Sequence, residues 1–301
     1  MEGEPLISVV VVAERAQDTI GGTLKSIFEA NHGNKEVIVV VNDPDDPSVQ
    51  VARDFPVKIY NSQEDGPRLF GEGGRGFGYQ RDLAWRVAEG EFIAYCDSDK
   101  LIERGWFNKM LKPFRNPKVG GVRNVEQAEG NSIIVKLKTG TSWAQYYSLR
   151  LLSRFPGIRL TFQANMWRRE TLEDVGGFDR GMARAIWDMD ISYRAWKRGW
   201  RLSTTDAISY HHEHLSLGSK IEEKWRPESK LTRRLFYQKH NTKPSPVLSL
   251  GILTLGILAT PMILWRTRSL VSLLWPFYFI AAKLFGLWGY LSQGGGMNGE
   301  R

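Results

Sequence analysis

The chain alternates short, almost wholly apolar runs with segments in which apolar residues recur every three or four positions. Leu6 to Val12 is β-branched and nearly continuous, the pattern of a strand buried on both faces. Asp18 and Thr19 offer a helix N-cap, and Ile20, Leu24, Ile27 and Phe28 follow at helical spacing up to Asn31. A second buried strand is predicted at Val37–Val41, ended by the turn-rich Asn42-Asp43-Pro44-Asp45-Asp46-Pro47. A short strand (Val57–Tyr60), a Gly-rich loop (Gly71–Gly78), a helix (Tyr79–Glu89) and a strand (Phe92–Cys96) continue the alternation. Strand–helix–strand units in this rhythm predict an α/β domain with a mixed, mainly parallel sheet.

The pattern changes near the C-terminus. Val247–Trp265 carries no charged residue, and as one helix it would run roughly 28 Å, enough for a bilayer core. Leu270–Leu291 is a second such stretch whose one charge is Lys283, and Arg266-Thr267-Arg268 links the two. A two-helix transmembrane hairpin is therefore expected, with Trp265, Trp275, Trp288 and Tyr290 near its ends as interfacial aromatics. The expected organisation is a catalytic domain over residues 1–216, a basic amphipathic juxtamembrane segment over 217–245, and the hairpin with a short tail over 246–301.

Composition narrows the class. The 301 residues are 42% hydrophobic and 25% charged, which excludes a wholly disordered chain. A mean hydropathy of −0.33 excludes one that is mostly membrane. The net charge is +8, and much of it lies in Leu215–Lys243, where eight Lys or Arg face three Glu. A basic collar beside an apolar segment points to anionic lipid headgroups rather than nucleic acid. It also predicts a multi-pass membrane protein with its catalytic domain on the cytoplasmic side, although the two loop arginines count against that orientation. Thr141–Phe155 and Ser229–Lys243 carry aromatics at helical spacing among basic residues, which fits either core helices or in-plane interfacial ones. The lone Cys96 excludes an intramolecular disulfide and a Cys-based zinc cluster. The first residues show no basic and apolar pattern of a secretory signal.

The candidate chemistry begins where the strand Phe92–Cys96 runs into Asp97-Ser98-Asp99. Carboxylates at the carboxyl end of a parallel strand lie where open α/β sheets bind ligands. Such a pair suits Mg²⁺ or Mn²⁺, which favour oxygen ligands and keep open positions for a diphosphate. The cluster His211, His212 and His214 could add an imidazole, and at most two of the three share one side of an extended segment. Gly71–Gly78 lacks the spacing of a dinucleotide or P-loop motif and reads as a loop near the donor.

Five blocks follow one another in order: Ser8–Ile20 (SVVVVAERAQDTI), Glu36–Asp43 (EVIVVVND), Arg81–Asp99 (RDLAWRVAEGEFIAYCDSD), Gly176–Arg194 (GGFDRGMARAIWDMDISYR) and Tyr210–Ser216 (YHHEHLS). Together they resemble the family 2 glycosyltransferases of the GT-A fold. With the C-terminal segment added, the chain resembles membrane-bound archaeal mannosyltransferases that build dolichol-linked glycans, and a minimal cellulose-synthase-like arrangement. The resemblance implies an inverting, metal-dependent sugar transfer from a nucleotide sugar, GDP-mannose being favoured, to a lipid-linked acceptor.

The resemblance also assigns roles. Asp97 and Asp99 match the metal-and-donor motif, and Arg81 matches an arginine facing the donor phosphates. Asn42 and Asp43 fall where the nucleobase is read, and Glu14 follows the first strand among donor-site residues. The usual Asn-Glu pair there would fall on Arg15 and Ala16. His211 matches a histidine that completes the metal site. Asp188 matches the general base. In the family a Glu-Asp pair opens that helix, whereas here the pair reads Trp187-Asp188, with Trp187 at the acceptor-binding position. Asp190, about 200° around the helix from Asp188, is expected to pair with Arg194.

Two other classes share part of this pattern. A membrane-anchored nucleotidyltransferase would need a Gly-rich signature with a lysine near the N-terminus, which Ser8–Ile20 lacks. A processive synthase of the cellulose or hyaluronan type would add further transmembrane helices and a Gln-X-X-Arg-Trp block, neither of which is clear here.

Overall fold

The structure is a computed structural model and describes residues 3–62, 77–130, 132–155, 158, 160, 162–180, 187–212, 236–242 and 246–281. Two compact units divide the chain, residues 1–127 with 149–212, and residues 128–148 with 213–301. The expected Gly-rich loop lies largely outside the described residues, as do most of the basic collar, His214, Lys283, Trp288 and Tyr290.

The first unit is built on an eight-stranded sheet. Its strands are β1 (Ile7–Ala13), β2 (Lys35–Val41), β3 (Lys58–Asn61), β4 (Phe92–Asp97), β5 (Lys100–Ile102), β6 (Val119–Glu129), β7 (Met166–Arg168) and β8 (Arg201–His212). Their order across the sheet is β3-β2-β1-β4-β7-β6-β8-β5. β1 pairs in parallel with β2 on one side and β4 on the other, and β2 pairs in parallel with β3. Antiparallel pairings of β7 with β4 and β6, and of β5 with β8, complete a mixed sheet. Every residue of β1 is buried, which is why its sequence is a continuous apolar run rather than an alternation.

Helices α1 (Ile20–Glu29), α2 (Pro47–Ala52), α3 (Phe77–Val87), α4 (Trp106–Leu111), α5 (Ile133–Leu152), α6 (Arg169–Val175) and α7 (Trp187–Lys197) follow in chain order. Ile20, Leu24 and Ile27 of α1 join Val9, Val11, Val37, Val39 and Phe107 in one core. The Thr19 hydroxyl, expected to cap α1, instead donates back to the Ala16 carbonyl at 3.3 Å. Register brings the carboxyl ends of four parallel strands level: Val12 faces Asp97, Ala13 faces Val41, and Val41 faces Asn61. The strand order reverses between β1 and β4, so the crevice beyond Ala13 and Asp97 is a topological switch point.

In the second unit, Trp143 and Tyr146 of α5 are buried, so the core reading applies to this part of Thr141–Phe155. Gly256 lies so close to its neighbours that a Cβ there would come within 2.5 Å of the Trp275 ring. The Ser148 hydroxyl donates to the Ile252 carbonyl at 2.9 Å. The expected continuous span Val247–Trp265 is broken into helices Pro246–Leu258 and Thr260–Thr267, bent by 68°. Pro261 explains the break, because it has no N–H to donate and its ring crowds the carbonyl four residues earlier. Among the described residues no single helix is long and apolar enough to cross a membrane, although the bent pair together has the length and composition. Leu250, Leu258, Met262, Trp265, Leu270 and Phe277 are exposed, beside Arg266 and Arg268.

Candidate active site at the switch point

Three loops meet the carboxyl edge of the sheet. After β1 the chain turns through Arg15, whose φ of 49° is left-handed. The turn is pinned by α2: Asp46 Oδ2 accepts the Arg15 amide at 2.8 Å, and Ser48 Oγ accepts the Ala16 amide at 2.7 Å. Burial opposes ionisation of Asp46, but the bonds from Ser48 and Arg15 outweigh it and hold its carboxyl below the usual range. Glu14, exposed, and Asn42, buried, thus follow adjacent strands at one level. Asn42 Oδ1 accepts the Ser62 hydroxyl at 2.7 Å, which ties β2 to the end of β3. Asp43 is exposed and accepts the Asp45 amide at 3.0 Å, the Asx turn that its position after a strand predicts.

Asp97 ends β4. Its Oδ1 is 2.8 Å from Arg81 Nη2, and its Oδ2 is 2.8 Å from Lys100 Nζ. Lys100 is buried and also meets Glu126 Oε1 at 2.6 Å. Burial works against ionising Asp97, yet Lys100 and Arg81 overcome it and keep the carboxyl well below its ordinary value. Lys100 is the mirror case: burial favours loss of its proton, but Asp97 and Glu126 hold the ammonium charged well beyond the usual range. Arg81, carried on α3, lies over Trp187 with 3.9 Å from its guanidinium carbon to the ring centre. Cys96, facing the core beneath this turn, is pushed up to about 12, chiefly by burial, so it is an inert thiol.

Asp99 makes a different contact, to His211, a residue that also helps to keep the Asp97 carboxyl low. Asp99 Oδ2 is 2.8 Å from His211 Nε2, because the β5–β8 register sets Lys100 opposite His211. Adjacent ligands of an octahedral Mg²⁺ or Mn²⁺, with bonds of about 2.1 Å, stand about 3 Å apart. Asp99 and His211 therefore fit two corners of such a site, and the Asp99 side chain is 43% exposed, open to waters or a diphosphate. Asp97, expected to share this cation, has its oxygens paired with Arg81 and Lys100. No group of three His, Cys, Asp or Glu side chains suited to a metal converges among the described residues.

Asp188 sits in the first turn of α7 and accepts the Met189 amide at 2.9 Å. Burial raises its carboxyl above the ordinary value, against the pull of that bond and of Arg123 and Arg81. Such a carboxylate is a stronger base than a solvated one. Asp190 faces the other way, fully buried and paired with Arg194 at 2.6 Å.

The turn that follows α6 is held by Asp82, a residue with no role assigned from the sequence. This buried carboxylate accepts from Trp85 Nε1 (2.8 Å), Arg86 Nε (2.9 Å), the Phe178 amide (3.1 Å) and Arg180 Nε (2.6 Å). It thereby fastens the Gly176-Gly177-Phe178-Asp179 turn to α3. Gly177 is left-handed (φ 79°), and a side chain there would overlap Asp82 and the Trp85 indole. Lys100 and Glu126 were also missed. The lysine directly after two carboxylates is a signal in hindsight, whereas Glu126, on a distant strand, carries none.

Comparison with known proteins bears on the fold and the family. A pre-mycofactocin glycosyltransferase of Mycobacterium tuberculosis is 30% identical over 133 residues, covering 41% of this chain; the chain spans 27% of that relative's length. Among solved structures, the Pyrobaculum calidifontis mannosyltransferase PcManGT, in complex with GDP-Man and Mn²⁺, superposes with a TM-score of 0.57 at 18% identity, covering 95% of this chain and 88% of that one. S. aureus TarS residues 1–349 with UDP-GlcNAc gives a TM-score of 0.55 at 15% identity, covering 94% and 89%. At these identities the likeness speaks for the fold. The model of glycosyl transferase family 2 matches residues 8–176, more than half of the sequence, and the chain belongs to that family.

Proposed function

We propose that the chain is an inverting, metal-dependent hexosyltransferase that moves mannose from GDP-mannose to a lipid-linked acceptor, such as a dolichol-linked glycan, at a membrane. The observation that carries this reading is the Asp97-Ser98-Asp99 turn at the point where strand order reverses, with Asp99 2.8 Å from His211. Proteins of this fold solved with GDP-Man and Mn²⁺, and with UDP-GlcNAc, support a nucleotide-sugar donor and a divalent cation.

In this reading the side chains divide the work. Asp99 and His211 would hold the cation, which when bound neutralises charge gathering on the departing diphosphate. Asp97, Asn42, Asp43 and Glu14 bind the donor, and Arg81 adds a fixed positive charge near it. Asp188 takes the proton of the acceptor hydroxyl while that oxygen bonds to the anomeric carbon. The bond from that carbon to the diphosphate oxygen breaks on the opposite face, so configuration inverts. A well-placed base of this kind contributes about 10²–10⁴ in rate.

The membrane reading rests on the exposed apolar residues between Leu250 and Phe277, with Arg266 and Arg268 among them. In this reading the sheet-bearing unit lies on the cytoplasmic side and the acceptor is borne on a lipid. The test supplies the purified full chain with Mn²⁺, lipid extract and radiolabelled GDP-mannose, UDP-glucose or UDP-GlcNAc. Label from GDP-mannose should enter the lipid fraction and vanish with Asp188→Asn. Transfer from UDP sugars alone, or into water-soluble products alone, would replace this donor or acceptor.

A further inference from the structure

We propose that Lys100 is a positioning residue of the donor site: its ammonium takes the second oxygen of Asp97 and so restricts a divalent cation to Asp99 and His211. This rests on the metal-dependent reading above and deepens it. The residue has two separate connections to the site. Its backbone pairs with His211 in the β5–β8 ladder, which brings that imidazole to Asp99. Its side chain, buried, bridges Asp97 Oδ2 at 2.8 Å and Glu126 Oε1 at 2.6 Å.

The consequence for Asp97 is electrostatic. Arg81 already holds Oδ1 at 2.8 Å, so each carboxylate oxygen faces a fixed positive charge. A dication bound to Asp97 would sit beside both, and bidentate binding would require displacing them. Among the described residues no lysine or arginine lies within ion-pair distance of Asp99, whose partner is the His211 imidazole. Glu126 matters because it holds the lysine from the far side, so that Lys100 cannot swing away from Asp97 without abandoning a second carboxylate. Two carboxylates that look alike in the sequence thus differ in their surroundings: Asp97 lies between two cations and Asp99 beside an imidazole.

The experiment is a double-mutant cycle on Mn²⁺ affinity, read by electron paramagnetic resonance of free Mn²⁺ on the full chain in detergent, with and without GDP. Lys100→Met should tighten Mn²⁺ binding about 10-fold, the scale on which groups around a metal site act. That gain should disappear in Lys100→Met with Asp97→Asn. In the parent, Asp97→Asn should change Mn²⁺ affinity far less than Asp99→Asn, which should lose about 10-fold or more. The proposal is overturned if Asp97→Asn costs as much in the parent as in the Lys100→Met background, since the cycle then shows no coupling. If Lys100→Met does not fold, equal losses for Asp97→Asn and Asp99→Asn in the parent overturn it. Absence of Mn²⁺ binding by the parent even with GDP removes the metal-dependent reading and this proposal together. Binding by the parent without coupling removes the role of Lys100 alone.

Discussion

The guanidinium of Arg81 lies 3.9 Å above the Trp187 ring while its Nη2 meets Asp97 at 2.8 Å. The family pattern has a glutamate where this chain has Trp187. A glutamate there would compete with Asp97 for Arg81, whereas an indole face attracts the cation and leaves its hydrogen bonds for Asp97. A desolvated cation–π contact of this kind contributes up to about 2 kcal/mol. Trp187→Phe should therefore bind GDP within a fewfold of the parent, and Trp187→Leu should bind about 10-fold more weakly. Calorimetry with GDP checks this, and unchanged binding by Trp187→Leu would mean that Arg81 is held by Asp97 alone.

Asp188 is expected to govern the chemical step. Asp188→Asn should bind nucleotide and Mn²⁺ nearly as the parent does, and lose about 10²-fold or more in turnover. Because burial raises this carboxyl, turnover in the parent should climb with pH through a value above the usual aspartate range and then level off. Stability runs the other way. The folded protein holds this proton more firmly than the unfolded chain, so the contribution is complete below the unfolded value and is lost as pH rises through the folded one. A pH–rate profile for Asp188→Asn that keeps the parent's acid limb would assign that limb to another group.

Gly177→Ala should cost stability out of proportion to one methyl group. The position is left-handed, and the added carbon would overlap Asp82 and Trp85. Strain of this type costs about 1–3 kcal/mol, and separating Asp82 from its partners adds to it. Urea unfolding measures the loss. A midpoint equal to the parent's would show that the turn can rearrange.

Membrane attachment should survive high salt and alkaline carbonate. The exposed apolar residues from Leu250 to Phe277 would be held by hydrocarbon, which does not respond to ionic strength as surface charge does. Release of the full chain by salt alone would leave the basic residues as its only hold on lipid.

Much of the fold is legible in the amino-acid sequence. The runs Leu6–Val12, Val37–Val41 and Phe92–Cys96 mark strands buried on two faces, since only a covered parallel sheet tolerates unbroken apolar sequence. Their ends put Asn42, Asp97 and Asp99 at one edge, and the spacing of Asp190 and Arg194 along a helix foretold their ion pair. What lay beyond the sequence were contacts between distant residues. His211 reaches Asp99 from 112 positions away through strand pairing, and Glu126 reaches Lys100 from 26. Hydropathy saw Val247–Trp265 as one span because it counts side chains, while the bend at Pro261 comes from a missing backbone N–H. Local pattern records which residues must leave water, and it therefore determined the elements and their order. Which charge meets which is settled by distance in three dimensions, so only the folded chain turned Asp97 to Arg81 and Lys100 and left Asp99 for His211.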